Sequence, residues 1–146
     1  MASDMELLHY DQTEKIIGIF YDVYNETGAH FLEKVVQRAM VIALRSAGMT
    51  VVERGSFPVF FRGEIIGDFC PDMIINDVVL VEIKSKSCLV GADEAQAINY
   101  LRVSPLEVAL VLNFGPKPQV VRRVLSNVRK AHRGAPEPID SKVLKA

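Results

Sequence analysis

Asp72, Glu82 and Lys84 are the residues of this 146-residue chain whose types and spacing could do chemistry. Asp72 closes a "CPD" step, and Glu82 and Lys84 stand two apart in "VVLVEIKSK" (78–86), where a strand puts both side chains on one face. Two carboxylates converging with a main-chain carbonyl, here that of Ile83, form the oxygen-rich donor set that Mg²⁺ or Mn²⁺ prefers. Such sites keep waters for substrate phosphates. A cation of this type polarises a phosphoryl oxygen and helps generate hydroxide, and Lys84 could orient that water or offset developing negative charge. Those are the parts of a phosphodiester hydrolase.

Whether the carboxylates meet depends on the turn between their strands. A two-residue loop at Asn76 and Asp77 would pair Asp72 with Val81 and send Glu82 to the opposite face. A three-residue loop, or a bulge near Pro71, would set Asp72 opposite Glu82. The second register is expected, because only it lets the carboxylates converge. Taken alone, a Glu and a Lys near a strand end are more often a solvated edge or an ion pair, and Asp after Pro is a common turn element. The surrounding strand shifts that balance. It is apolar on both faces and so reads as central, where charges need a partner.

The elements that must position these residues follow from periodicity. An amphipathic helix begins near Asp11, its expected N-cap, carries Ile16, Ile17, Phe20, Val23 and Tyr24, and stops at Gly28. A second helix runs from about His30 to Ala47 with Glu33 in its first turn, where a carboxylate also suits the helix dipole without any metal. Three strands follow, at about Thr50 to Phe61, Ile65 to Ile75 with a break at Pro71, and Val78 to Lys84. "GADEAQAINYLRVSP" is a helix from Asp93 to about Val103, in which Asp93 and Gln96 have capping-box spacing. "EVALVLNFG" is a fourth strand, and Gln119 to about Arg133 is expected to be a last helix. The order, α-α-β-β-β-α-β-α, implies an α/β fold with a central mixed four-stranded sheet flanked by helices. Cys70 is read as a small buried residue.

With 49% hydrophobic and 24% charged residues, the chain suits one domain, expected over 1–133, followed by a basic, flexible tail over 134–146. Its apolar runs are far short of the roughly 20 residues that cross a bilayer, and the acidic start is unlike a signal peptide, so no membrane partner and a cytoplasmic location are expected. Two cysteines exclude a cysteine-rich metal site. The charge is uneven. Residues 1–116 hold nine Lys/Arg against sixteen Asp/Glu, whereas residues 117–146 hold eight against two. The basic end, with Arg122, Arg123, Arg129 and Lys130, is as consistent with a solvated face as with a phosphate-binding one. No Gly-rich phosphate loop is present.

"PD" at 71–72, nine intervening residues and "EIK" at 82–84 resemble the signature of the PD-(D/E)XK nucleases. Together with "GAHFLEKVV", "PVFFRGEIIGDFCPDMIIND", "EAQAINYL" and "VALVLNFG", they are similar to the bacterial GxxExxY proteins of that superfamily, over about residues 12–126. The resemblance implies a restriction-endonuclease-like core with Asp72, Glu82, Glu33 and the Ile83 carbonyl around a Mg²⁺ or Mn²⁺ ion, and Lys84 as the catalytic lysine. Gln96 and Tyr100 match a QxxxY element similar to that of RecB-type nucleases, which helps hold the site and the DNA. From spacing alone, Gln96 could instead close a helix and Tyr100 could be core. The chain departs from the group's namesake motif, since His30 and Val36 stand where Gly and Tyr are required.

The expected function is therefore metal-dependent hydrolysis of nucleic acid, with DNA the expected substrate and a homodimer left open. The basic residues Arg122 and Arg123 would touch the phosphate backbone. The alternative is a catalytically inactive nuclease-fold module that binds nucleic acid or a protein partner, because fold alone does not establish activity.

Overall fold

The computed structural model describes residues 7–132. Helices α1 (Tyr10–Thr27) and α2 (Glu33–Ser46) are followed by β1 (Val51–Glu53), β2 (Phe57–Phe61), β3 (Glu64–Phe69), β4 (Met73–Ile75) and β5 (Val79–Lys84). Then come α3 (Gly91–Val103), β6 (Val108–Phe114), β7 (Pro118–Val124) and α4 (Asn127–His132). The fold is α/β, with a mixed sheet flanked by helices, consistent with a restriction-endonuclease-like fold. The sheet has five strands in the order β1-β4-β5-β6-β7, and β2 and β3 form a separate two-stranded sheet. The connection through α3 brings β6 back parallel to β5, and the other pairs in the sheet are antiparallel.

β5 is central. Val79, Leu80, Val81 and Ile83 are each 0% exposed, because their alternating side chains fill a core on both faces. Val79, Val81 and Ile83 pack with Ile16, Phe20, Met40 and Leu44 under α1 and α2, where Phe20 meets Phe114 edge-on at 4.9 Å. Leu80 faces the other way, into the cluster of Phe57, Phe69, Ile74, Ala97 and Leu101 beneath α3. Glu82, two residues after Leu80, shares that second face.

Three readings of the sequence change here. The expected strand from Thr50 to Phe61 is two strands, because Arg54 takes a left-handed backbone (φ 60°) and sends β2 away to pair with β3. Cys70 is exposed, since it lies between that departing hairpin and the return of the chain at Pro71. The expected helix over Gln119–Arg133 is mostly the strand β7, with only Asn127–His132 helical. Val120, Val121 and Val124 have spacing that suits either element, but β6 offers a free edge, and seven residue pairs from Val108↔Val124 to Phe114↔Pro118 outweigh one short helical stripe. The tail over 134–146 lies outside the described residues.

Helix boundaries shift as well. Asp11 sits in the first turn of α1 rather than at its cap, and Gly28 (φ 69°) ends α1 in a conformation that glycine adopts without strain. His30 is also left-handed (φ 78°), which delays α2 until Glu33 is its first residue.

The register between β4 and β5 is set by their turn. Asn76 (φ 52°) and Asp77 (φ 61°) are both left-handed, and the Val78 N–H donates to Ile75 O at 3.1 Å. Val78 is then one residue extra, so the ladder pairs Ile75 with Val79 and Met73 with Val81. Asn76 locks the turn. Its Oδ1 accepts from Thr50 N (2.8 Å) and Thr50 Oγ1 (3.2 Å), and its Nδ2 donates to Gln12 Oε1 (3.0 Å). Asn76→Ala removes these bonds and a residue type that tolerates the left-handed region, so urea unfolding is expected to show a loss of about 1–3 kcal/mol.

Candidate metal centre

One step beyond the ladder pair Met73↔Val81, Asp72 stands beside Glu82. The expected three-residue register is thus the one formed. The two residues are tied reciprocally: Asp72 N–H donates to Glu82 Oε1 at 3.2 Å, and Ile83 N–H donates to Asp72 Oδ2 at 2.7 Å. In a strand the N–H and C=O of one residue point to the same edge, so the Ile83 carbonyl also faces the side where Asp72 lies. The ladder has ended by this point, so β4 offers that carbonyl no pairing partner.

Burial makes the pair electrostatically costly. Glu82 is 7% exposed, and loss of solvent followed by the charge of Asp72 pushes its pKa up to about 8, against the opposing pull of the Asp72 N–H and Lys84. Asp72 is raised too, again mainly by desolvation, although the Ile83 N–H, Lys84 and a hydrogen bond with Glu82 hold it down. Glu33 is raised by desolvation and by the charge of Asp72, with Lys84 opposing, which places it at the rim of the same field. None of the ion pairs among the described residues involves any of these three carboxylates.

Lys84 does not close a salt bridge with them. Its Nζ donates to Gln96 Oε1 at 3.2 Å, reaching from β5 to α3. That answers the capping question. Asp93 is the residue that serves the helix start, accepting from Val90 N at 2.8 Å while Lys86 Nζ donates to it at 2.9 Å, and Gln96 is free to hold Lys84. Tyr100, one turn further, stacks on Phe69 with ring centroids 3.4 Å apart. Its hydroxyl lies in the same field, with a pKa raised by desolvation and by Glu82 and Asp72, and lowered by a hydrogen bond with Gln96. Gln37 of α2 is a contributor that reasoning from the sequence did not single out. Its Nε2 donates to Asp72 O at 3.3 Å, and its position four residues after Glu33, on the same side of the helix, was the signal.

Would a divalent cation fit? A buried and a half-buried carboxylate without an ion-pair partner, beside an open main-chain carbonyl, match the hard oxygen donors that Mg²⁺ or Mn²⁺ takes, usually one or two carboxylates with waters and phosphate oxygens. Among the described residues no three His, Cys, Asp or Glu side chains gather as an ion-binding group, and Glu33 meets the Asp72–Glu82 pair through its charge.

The arginines expected at the phosphate backbone are engaged elsewhere. They alternate on β7: Arg122 turns to α1, where Nε donates to Thr13 Oγ1 at 3.2 Å and its guanidinium also meets Leu8 O. Arg123 turns to α3 and pairs with Glu94 at 2.6 Å. Lys130 is 6% exposed and donates to the carbonyls of Ser104 and Leu106, and burial lowers its pKa to about 8. Arg129 is exposed.

The model of the PD-(D/E)XK nuclease superfamily matches residues 10–124. No curated protein matches the chain. Among solved structures, it is similar to the crystal structure of an alkaline exonuclease from Laribacter hongkongensis, with a TM-score of 0.41 and 12% identity, covering 82% of this chain and 72% of that one.

The electrostatics carry a sign. Without metal, folded Glu82 holds its proton up to about pH 8, against an ordinary value of 4.5. Its burial therefore carries no charge penalty below the ordinary value, and stability is lost as pH rises from there through the folded one. With EDTA present, Glu82→Gln is expected to melt like the parent at about pH 5 and several degrees above it at about pH 8.5. A constant difference across that range would contradict a buried, raised carboxyl.

Proposed function

We infer that this chain, which belongs to the PD-(D/E)XK nuclease superfamily, hydrolyses nucleic-acid phosphodiester bonds with Mg²⁺ or Mn²⁺. The observation that carries the reading is the convergence of Asp72 and Glu82, by turn register, at the open end of β4 with Lys84 on the same face. Asp72, Glu82 and the Ile83 carbonyl would hold the cation. When bound, it polarises a phosphoryl oxygen and acidifies a water.

The chain's own groups do the rest. Gln96 holds the Lys84 ammonium beside the carboxylates, where it stabilises the negative charge that grows on the phosphoryl oxygens as water attacks in line and the alcohol leaves. Gln37 and the Ile83 N–H fix Asp72 from its carbonyl and carboxylate ends, so its free oxygen is aimed before substrate arrives. Glu33 would approach the same ion from α2, directly or through a water. Tyr100 and Gln96 support Lys84 from α3. DNA is the substrate this reading favours, and a cytoplasmic setting agrees with two free, exposed thiols, which a reducing compartment preserves.

Glu82→Ala and Lys84→Ala are expected to lower the rate of DNA cleavage in Mg²⁺ or Mn²⁺ by roughly 10²-fold or more. Calorimetry should show divalent binding that Asp72→Asn abolishes. A parent that leaves single- and double-stranded DNA and RNA uncut and binds no divalent ion would instead be a binding module on the nuclease fold.

A further inference from the structure

Next to the end of β5 runs a groove of about 540 Å³, of whose lining the hydrolytic reading uses only Glu33. It lies past the C-terminal ends of β5 and β6, and its lining includes His30, Phe31, Glu33, Ser87, Phe114 and Pro116. Glu33 lines the groove together with Ser85 and Lys86, the two residues that directly follow Lys84, so the groove adjoins the end of the strand that carries the site. The volume is within the range of clefts that take small organic groups.

The walls are braced without any ligand. Ser85 Oγ–H donates to Phe31 O at 2.7 Å, which ties the lip before α2 to the end of β5. Tyr24 OH donates to Gly115 O at 2.6 Å and also lies 3.0 Å from Pro116 O, tying the opposite wall to α1. Asn113 clamps Lys86 from both sides, accepting from its N–H and donating to its carbonyl, each at 3.0 Å. A Cβ at Gly115 would run into that same carbonyl, so the absence of a side chain there lets the two walls approach.

On this fixed frame the lip is apolar and open. Phe31 is 47% exposed and Leu32 78%, immediately before the acidic Glu33, and no core claims either side chain. An aromatic surface two residues before Glu33, in a groove that adjoins the proposed hydrolytic centre, fits one part of a nucleic acid, a base. A duplex presents phosphates outward and keeps its bases stacked inside, so only an unpaired strand can lay a base there while its phosphate reaches Asp72 and Glu82.

Resting on the hydrolytic reading for the position of the phosphate, we propose that this groove binds a nucleobase of a single strand, stacked on Phe31, next to the scissile phosphate. Phe31 is a specificity-determining residue in this arrangement, and the substrate class is unpaired nucleic acid.

The test is fluorescence anisotropy with Ca²⁺ in place of Mg²⁺, using labelled oligothymidylate, an abasic oligonucleotide of equal length and a duplex. The parent is expected to bind oligothymidylate more tightly than either of the others. Phe31→Ala should weaken that binding about tenfold, within the loss expected for one stacked base. The same variant should leave the abasic strand unaffected, and Phe31→Tyr should restore the parent value. Equal weakening for both strands, no weakening, or a parent preference for duplex overturns the proposal. Hydrolysis of bis(p-nitrophenyl) phosphate, which has no base, separates the two readings. Cleavage with Phe31-independent binding removes the groove alone, whereas Phe31-dependent binding without any cleavage supports the groove and removes the hydrolase.

Discussion

The site depends on one extra residue in a turn. Val78 follows two left-handed residues, Asn76 and Asp77, and moves the pairing of β4 with β5 by one position. Because side chains alternate faces at every step, that single residue decides whether Asp72 meets Glu82 or points away from it. The reciprocal bonds between Asp72 N–H and Glu82, and between Ile83 N–H and Asp72, exist only in the register that forms. They also solve a local problem. β4 does not continue beyond Met73 as a ladder partner, which would leave the Ile83 N–H in a buried strand without a carbonyl to bond.

Placing two carboxylates here works against stability. A buried unpaired charge costs several kcal/mol, so the pair is tolerated by keeping a proton, through Glu82, rather than by an ion pair. The neighbouring elements are arranged to leave that state uncorrected. Lys84 is drawn to Gln96, Lys86 to Asp93, and Arg123 to Glu94, so each nearby cation has a partner other than the carboxylate pair. A site whose carboxylates have no ion-pair partner, and of which one keeps a proton, would release that proton if it took a divalent ion, as the proposed function requires.

The departures from the GxxExxY pattern have physical content. His30 stands where the pattern has glycine, and its backbone is left-handed, the region in which glycine pays least. The local path into α2 is thus kept with a residue less suited to it, and Glu33 still opens the helix. Val36 stands in place of the tyrosine and is fully buried with Phe20, Met40 and Val81, so at this position the chain uses a small apolar side chain in the core.

Much of this was legible in the chain itself. The residue types at 72, 82 and 84, the apolar strand around them, and the helical stripe of Ile16, Phe20 and Val23 each follow from local spacing. Even the critical register could be named as one of two options from the turn. Other features required partners that lie far away in sequence. Val120, Val121 and Val124 suit a helix or a strand, and the free edge of β6 made them a strand, which then alternated Arg122 and Arg123 onto opposite faces. Arg54 turned β2 out of the sheet, and Glu33 drew near Asp72 only because α2 packs over β5. The division has a physical cause: side-chain chemistry and periodicity are properties of neighbours along the chain, whereas strand pairing and burial are settled by which edges and faces remain free once the core has closed.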